Sequence, residues 1–185
     1  AHDGSLGLAH AFIDAAYQAG ADAVKFQTHI AEAESTVQEK FRINFSRQDK
    51  TRYDYWKRIE FTTEQWQGLA THAKEKNLAF ISSPFSIQAI NLLEKIDVPV
   101  WKVASGEIST SDLLDPMLAT GKPLLVSTGM SSWDEITKTV ERLRKANSDF
   151  CLMQCTSSYP TPLDEVGLNV LSEYKNRFNC SVGLS

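Results

Sequence analysis

Short apolar runs alternate with segments of helical periodicity along the whole of this sequence. The apolar runs predict six strands, at 23–28, 78–82, 100–103, 123–127, 150–155 and 181–185. Apolar residues at helical spacing, two sets of them behind a capping-box pattern, predict six helices, at 5–19, 62–76, 86–96, 112–119, 132–146 and 168–178. Such alternation is typical of βαβ units and a parallel sheet. The stretch 29–60, rich in charged and aromatic residues, is predicted to be a long irregular segment.

Two kinds of parallel sheet fit this alternation, an open doubly wound sheet and a (β/α)8 TIM barrel. Polar residues follow the predicted strands one after another, as the mouth of a barrel requires, whereas an open sheet concentrates them at one switch point. The sequence contains no dinucleotide-binding glycine pattern and no P-loop. We therefore predict an α/β fold, a TIM barrel. Because a complete barrel takes about 250 residues, we expect residues 1–185 to be a partial catalytic domain, about strands 2–7, of a longer protein and to be inactive alone.

Two of the predicted strands carry a lysine among apolar residues. Side chains alternate between the two faces of a strand, so Lys25 and Gln27 share one face, opposite Val24 and Phe26. By the same alternation, Lys102 faces away from its strand neighbours Trp101 and Val103. A lysine in such a place costs free energy unless a partner or a ligand satisfies it. Two lysines near the carboxyl ends of two buried strands predict one positively charged mouth for an anion.

Composition argues against several classes of protein. The chain has 185 residues, 42% hydrophobic and 23% charged, with a net charge of −4 and no basic stripe, so nucleic acid is not an expected partner. No apolar run approaches the roughly 20 residues that span a bilayer, and we expect no membrane partner. The three cysteines make no disulfide framework, which favours a cytoplasmic location. The four histidines show no metal-ligand spacing and are expected mostly at the surface.

Five motifs in order carry a resemblance to a known family. They are Ala-Gly-Ala-Asp-Ala-Val-Lys-Phe-Gln-Thr (19–28), Ser-Ser-Pro-Phe-Ser (82–86), Trp-Lys-Val-Ala-Ser-Gly-Glu (101–107), Ser-Thr-Gly-Met (127–130) and Cys-Thr-Ser-Ser-Tyr-Pro-Thr-Pro (155–162). Together they resemble the N-acetylneuraminate (sialic acid) synthase family, which condenses phosphoenolpyruvate with an N-acetylated amino-sugar aldehyde, such as N-acetylmannosamine, and releases phosphate.

The resemblance implies roles for individual residues. Phosphoenolpyruvate would be held by Lys25, Ser83, Lys102, Ser105, Ser127, Gly129 and Ser157. Three further residues, Gln27, Glu107 and Tyr159, would lie near the reacting groups or the sugar and take part in catalysis. The resemblance also implies a divalent metal, manganese or magnesium, whose histidine ligands lie beyond Ser185, a further C-terminal domain, and a homodimer of the full-length protein.

Several alternatives stay open. Residues 2–4 read His-Asp-Gly where the family commonly has Asn-His-Asn-Gly, and Ser157 stands where some members carry asparagine, so the sugar is undetermined. A related sugar-acid phosphate synthase, a class I aldolase with a Schiff-base lysine and a non-catalytic binding module are competing functions. Three serines, Ser83, Ser127 and Ser157, could each simply cap a helix, and Tyr159 could be a packed loop aromatic. The aromatic residues at 53–61 are expected to pack the long segment onto the rest of the protein.

Overall fold

The computed structural model describes residues 2–185, which form two compact units that meet in sequence between Pro99 and Val100. The first unit contains two strands and five helices: α1 (Leu6–Gln18), β1 (Ala23–Thr28), α2 (Ala31–Glu34), α3 (Arg52–Ile59), α4 (Thr63–Glu75), β2 (Ala79–Pro84) and α5 (Ile87–Lys95). Helices α1 and α4 pack against each other, and each also contacts a strand. The first unit is therefore a small sheet with helices packed on it.

The second unit continues the alternation with four strands. Its elements are β3 (Trp101–Val103), α6 (Ser111–Ala119), β4 (Leu124–Ser127), α7 (Trp133–Lys145), β5 (Phe150–Gln154), a short 3-10 helix (Leu163–Glu165), α8 (Leu168–Phe178) and β6 (Ser181–Leu184). Strands β3, β4, β5 and β6 pair in that order, and every pair is parallel. The predicted six strands are thus all present in residues 2–185. None of the helices in this range is long and apolar enough to cross a membrane.

Parallel pairing sets which side chains share a face of the first unit's sheet. Strand β1 pairs with β2 so that Lys25 lies beside Ile81 and Gln27 lies beside Ser83. Phe26 points the other way, where its ring lies 5.6 Å from that of Phe80. The predicted separation of polar and apolar positions on β1 is confirmed, and the apolar face is the one that meets the aromatic core.

Capping side chains fix where the helices begin. The hydroxyl of Thr62 accepts the backbone N–H of Gln65, whose side chain accepts the N–H of Thr62 in return, and Ser132 and Glu135 make the same reciprocal pair ahead of α7. Both capping boxes were predicted from the sequence. Each satisfies backbone donors that a helix start leaves without a partner.

The long segment 29–60 is more ordered than predicted. Helix α3 begins at a third capping box, Thr51 with Asp54. The guanidinium of Arg58 bonds to the carboxylates of Asp49 and Asp3 at 2.7 and 3.0 Å, and this network holds the segment to the start of the chain. The prediction missed this helix because it is only eight residues long and lies within a stretch rich in charged residues, which was predicted to be irregular.

The prediction that the histidines lie mostly at the surface is wrong for two of the four. His2 and His29 are each 8% exposed. His2 stacks on Phe61, with ring centroids 4.6 Å apart, and His29 lies against Trp56. Aromatic stacking, which sequence spacing does not reveal, offsets the cost of burying these rings.

A neighbouring pair on α4 separates core packing from helix propensity. We expect Leu69→Ala to lower the free energy of unfolding by about 2–5 kcal/mol, because Leu69 is fully buried. Gly68→Ala should raise it by about 0.5–1 kcal/mol, because an added Cβ meets no atom within 4 Å. Urea unfolding followed by circular dichroism measures both, and equal effects of the two variants would contradict this account of α4.

Candidate anion-binding and catalytic site

The second unit buries a lysine at the end of its sheet where the site was predicted. Lys102 is 4% exposed, and its Nζ donates to the hydroxyl of Ser127 at 2.6 Å and to the carbonyl of Val103 at 2.8 Å. Strand register explains the first contact: Lys102 pairs with Leu125, so Ser127, two residues further along β4, lies on the same face. Trp101 and Val103 are buried on the opposite face and hold the strand in this register.

A second contact joins the loops that follow β3 and β4. The backbone N–H of Gly129 donates to Oγ of Ser105 at 3.2 Å. Gly129 also lies so close to the carbonyl of Cys155 that a Cβ at this position would clash with it. Two contacts thus pair four predicted ligands, Lys102 with Ser127 and Ser105 with Gly129. The segment 127–129 supplies one member of each pair, so we call the four residues one cluster, and the loop after β5 packs directly against Gly129.

The cluster has a supporting contact that the sequence analysis did not assign to the site. Thr128 is buried between two ligand positions, and its hydroxyl donates to the carbonyl of Met153 at 3.0 Å. Its single hydrogen is thus in use, so the hydroxyl of Tyr174, 2.7 Å away, donates to it. Burial raises the pKa of Tyr174, which keeps this phenol protonated and the contact intact. Tyr174 ties helix α8 to the loop after β4.

Other predicted residues of the second unit lie outside this cluster. Glu107 is half-buried in the turn after β3, and its side chain has no hydrogen bond or ion pair with another residue in 2–185. Ser157 is exposed, in a groove of about 320 Å³ that Gly129 and Tyr174 also line. Tyr159 is 90% exposed, so the alternative that it is a packed loop aromatic is wrong. The sequence assigned these residues to the correct loops. It could not predict where their side chains point, because a loop has no strand pairing to fix the direction of a side chain.

The first unit holds the remaining predicted residues together on one face. Lys25, Gln27 and Ser83 share it, and Ser83 is buried. Solvent reaches much of Lys25, yet enough protein surrounds its side chain that desolvation lowers the pKa of Lys25. Lys25 and Gln27 also line a cavity of about 440 Å³. Lys25 is therefore a cation whose charge an anionic ligand would stabilise.

The divalent metal that the family resemblance implies does not fit the residues described. No group of three or more histidine, cysteine, aspartate or glutamate side chains within 2–185 is placed to hold a metal ion. The metal requirement stays a prediction about the protein as a whole.

The contact between Gly129 and Cys155 gives a direct test of the cluster. We expect Gly129→Ala to destabilise the fold by about 1–3 kcal/mol, because the loop after β5 has to move, and to weaken binding of phosphoenolpyruvate. Gly106→Ala, in the turn after β3, is the matched control, because an added Cβ there meets no atom within 4 Å. Thermal unfolding and a phosphoenolpyruvate titration of both variants measure the difference. A Gly129→Ala protein that matches Gly106→Ala in both would contradict the described packing.

Comparisons with known proteins identify relatives of this chain. The chain is 32% identical over 190 residues to the N,N'-diacetyllegionaminic acid synthase of Campylobacter jejuni, covering 100% of this chain and 57% of that protein. It is 32% identical over 179 residues to human N-acetylneuraminate-9-phosphate synthase, covering 96% of this chain and 50% of that protein. The chain thus spans about half the length of these curated relatives.

A solved structure shows the same fold. The sialic acid synthetase of Leptospira borgpetersenii, crystallised with citrate, superimposes with a TM-score of 0.84 at 29% identity, covering 99% of this chain and 60% of that one. This confirms the predicted α/β fold class, and the parallel strand pairs within each unit are consistent with a partial (β/α)8 barrel. The NeuB family model matches residues 12–185. The match spans nearly the whole sequence and includes all five motifs that suggested a sialic acid synthase, and we conclude that this chain belongs to the NeuB family.

Proposed function

We propose that the protein carrying this chain condenses phosphoenolpyruvate with an N-acetylated amino-sugar aldehyde, such as N-acetylmannosamine, to give a nonulosonic acid and phosphate. In this reaction a carbon–carbon bond forms between the methylene carbon of phosphoenolpyruvate and the aldehyde carbon, and water completes the release of phosphate. Membership of a family of nonulosonic acid synthases supports the proposal. The observation that carries it is the buried contact between Lys102 and Ser127.

The cluster of the second unit suits a ligand that carries a phosphate and a carboxylate. The Lys102 ammonium lies beside the Ser127 hydroxyl, and charge-assisted hydrogen bonds to such anions are stronger than neutral ones. The described contacts hold these groups in place before a ligand arrives, which reduces the ordering cost of binding.

Distinct roles follow for the other predicted residues. Lys25 would add a second positive charge toward phosphoenolpyruvate, with Ser83 and Ser157 as hydroxyl donors. Glu107 has a carboxylate with no partner in 2–185, which suits a group that accepts a sugar hydroxyl or moves a proton. Gln27 and Tyr159 would orient the sugar. The human relative is named for a phosphorylated product, so a phosphorylated sugar is the alternative acceptor.

The two lysines provide the main test of the proposal, carried out in the full-length protein. We expect Lys102→Met and Lys25→Met each to raise KM for phosphoenolpyruvate about tenfold to a hundredfold, the loss of one charged hydrogen bond. For Lys25, affinity should also fall with rising pH earlier than for an ordinary lysine, because its lowered pKa means that the proton leaves sooner. Steady-state kinetics measures both effects.

The exposed Lys145 at the end of α7 provides the control, and Lys145→Met should leave KM unchanged. Normal saturation of both lysine variants by phosphoenolpyruvate would overturn the anion-site assignment. Borohydride trapping of pyruvate on Lys25 or Lys102 would instead support a class I aldolase.

Glu107 should act on turnover. We expect Glu107→Gln to lower kcat by about 10²–10⁴-fold, the range of general acid–base catalysis, with little change in KM for phosphoenolpyruvate, since the carboxylate faces no anion. A pH–rate profile with one ionisation missing would support the role. Equal losses in phosphoenolpyruvate binding and in turnover would show that Glu107 is structural.

A further inference from the structure

His29 is the first residue after strand β1, and its ring is held between two aromatic side chains. The ring of Trp56 lies 3.7 Å away at an interplanar angle of 18°, and that of Phe85 lies 4.3 Å away at 12°. Both faces of the imidazole are therefore covered, and the residue is only 8% exposed. Stacking on both faces fixes the plane of the ring, and the contact of Nδ1 with Glu34 then fixes the positions of its two nitrogens.

A buried carboxylate determines which nitrogen carries the proton. Nδ1 of His29 lies 2.7 Å from Oε2 of Glu34, and the other oxygen of Glu34 accepts the backbone N–H of Ile30 at 2.7 Å. The Glu34 side chain is almost as buried as the histidine. An ionised carboxylate only accepts hydrogen bonds, so Nδ1 is the donor. In the neutral imidazole, Nε2 then carries a lone pair and accepts.

Nε2 has no hydrogen-bond partner although it is fully buried, and among residues 2–185 it is the only buried side-chain nitrogen or oxygen without one. Buried polar atoms are nearly always satisfied, so an exception needs an explanation. His29 also lines the cavity of about 440 Å³ that contains Lys25, Gln27 and Tyr55. The faces of the ring and its Nδ1 are occupied, so the edge that carries Nε2 is the side of the ring left for the cavity, and a ligand that binds Nε2 has to displace the side chains that now cover it.

We propose that Nε2 of His29 accepts a hydrogen bond from a hydroxyl or amide N–H of the acceptor sugar, and that Glu34 is the positioning residue that fixes the tautomer. The inference rests on the proposed function for the identity of the ligand. The cavity suits such a ligand, because it combines aromatic walls from Tyr55 and Trp56 with a few polar groups. A site that hydrogen-bonds a donor discriminates against analogues that lack it.

Two substitutions of His29 separate its two nitrogens. In His29→Asn the amide N–H takes the position of Nδ1 and keeps the bond to Glu34, but the acceptor at Nε2 is lost. In His29→Gln the side-chain amide reaches the position of Nε2 and keeps an acceptor there. Both variants lose the imidazole ring, so the effect of losing the stacking on Trp56 and Phe85 is the same in each and does not contribute to the difference between them.

We expect His29→Asn to raise KM for N-acetylmannosamine about three- to tenfold over His29→Gln, the worth of one neutral hydrogen bond, with equal KM values for phosphoenolpyruvate. Deoxy analogues and an analogue without the N-acetyl group identify the donor, because the difference should vanish for one of them. Equal sugar KM values in the two variants, or a difference that persists with every analogue, would overturn the inference.

A measurement independent of activity completes the test. In ¹⁵N spectra of the histidine rings, assigned by the signals that His29→Asn removes, Nδ1 should be protonated and Nε2 unprotonated. Glu34→Gln should favour the opposite tautomer, because the glutamine oxygen accepts the Ile30 N–H and its NH2 group then donates to Nδ1. Glu34→Ala should leave the tautomer without a partner that sets it. The Nε2 signal should move when N-acetylmannosamine is added.

Failure of the inference and failure of the proposed function give different results. A protein that forms no product from phosphoenolpyruvate and N-acetylmannosamine, but whose Nε2 signal moves with the sugar, would contradict the function and support the site. An active protein whose Nε2 is protonated, or whose signal does not move, would overturn the inference alone. An unchanged signal in an inactive protein would overturn both.

Discussion

Burial of the Lys102 ammonium is the constraint that organises the second unit around its site. A charged group at 4% exposure costs free energy unless it is hydrogen-bonded, so the strand, the Ser127 hydroxyl and the Val103 carbonyl have to keep their positions. That requirement fixes the register of β3 on β4 and places the loop with Gly129 beside Ser105. Packing of Trp101 on the other face supplies the stabilisation that allows it. Burial of the ammonium lowers the stability of the fold somewhat, and in return the position of the positive charge is fixed before any ligand binds.

For strand residues of the candidate site, the sequence predicted which face of the sheet each side chain occupies. For loop residues it predicted only which loop contains them. Alternation along a strand fixes a face, so Lys25, Gln27 and Lys102 lie where the pattern indicated. Ser83 was expected after β2 and instead lies within it, since the strand extends to Pro84. No periodicity relates Tyr159 to the cluster, and its exposure could not be deduced.

Long-range side-chain contacts were beyond sequence reasoning for a different reason. The stacking of His29 between Trp56 and Phe85 joins three separate segments, and the bond between Thr128 and Tyr174 joins a loop to a helix. No periodic pattern in the sequence links single residues that lie so far apart along the chain. Motif resemblance also could not reveal them, because the motifs cover the strand ends and these contacts lie mostly outside them. The unpartnered Nε2 of His29 became visible only with the fold.

The close approach of Gly129 to Cys155 has a consequence for the order in which this unit acquires its ligand site. Ser105, Gly129 and Cys155 lie in the loops after three successive strands, so none of the three loops is in place until β5 has docked on β4. Contacts between distant parts of a chain form late, because loop closure precedes their gain. During synthesis the anion site should therefore stay unformed until the ribosome has released the segment beyond Cys155. The proposed ligand, phosphoenolpyruvate, would then stabilise the fold only after these loops have assembled, because it would bind them in the assembled form and shift the folding equilibrium through mass action.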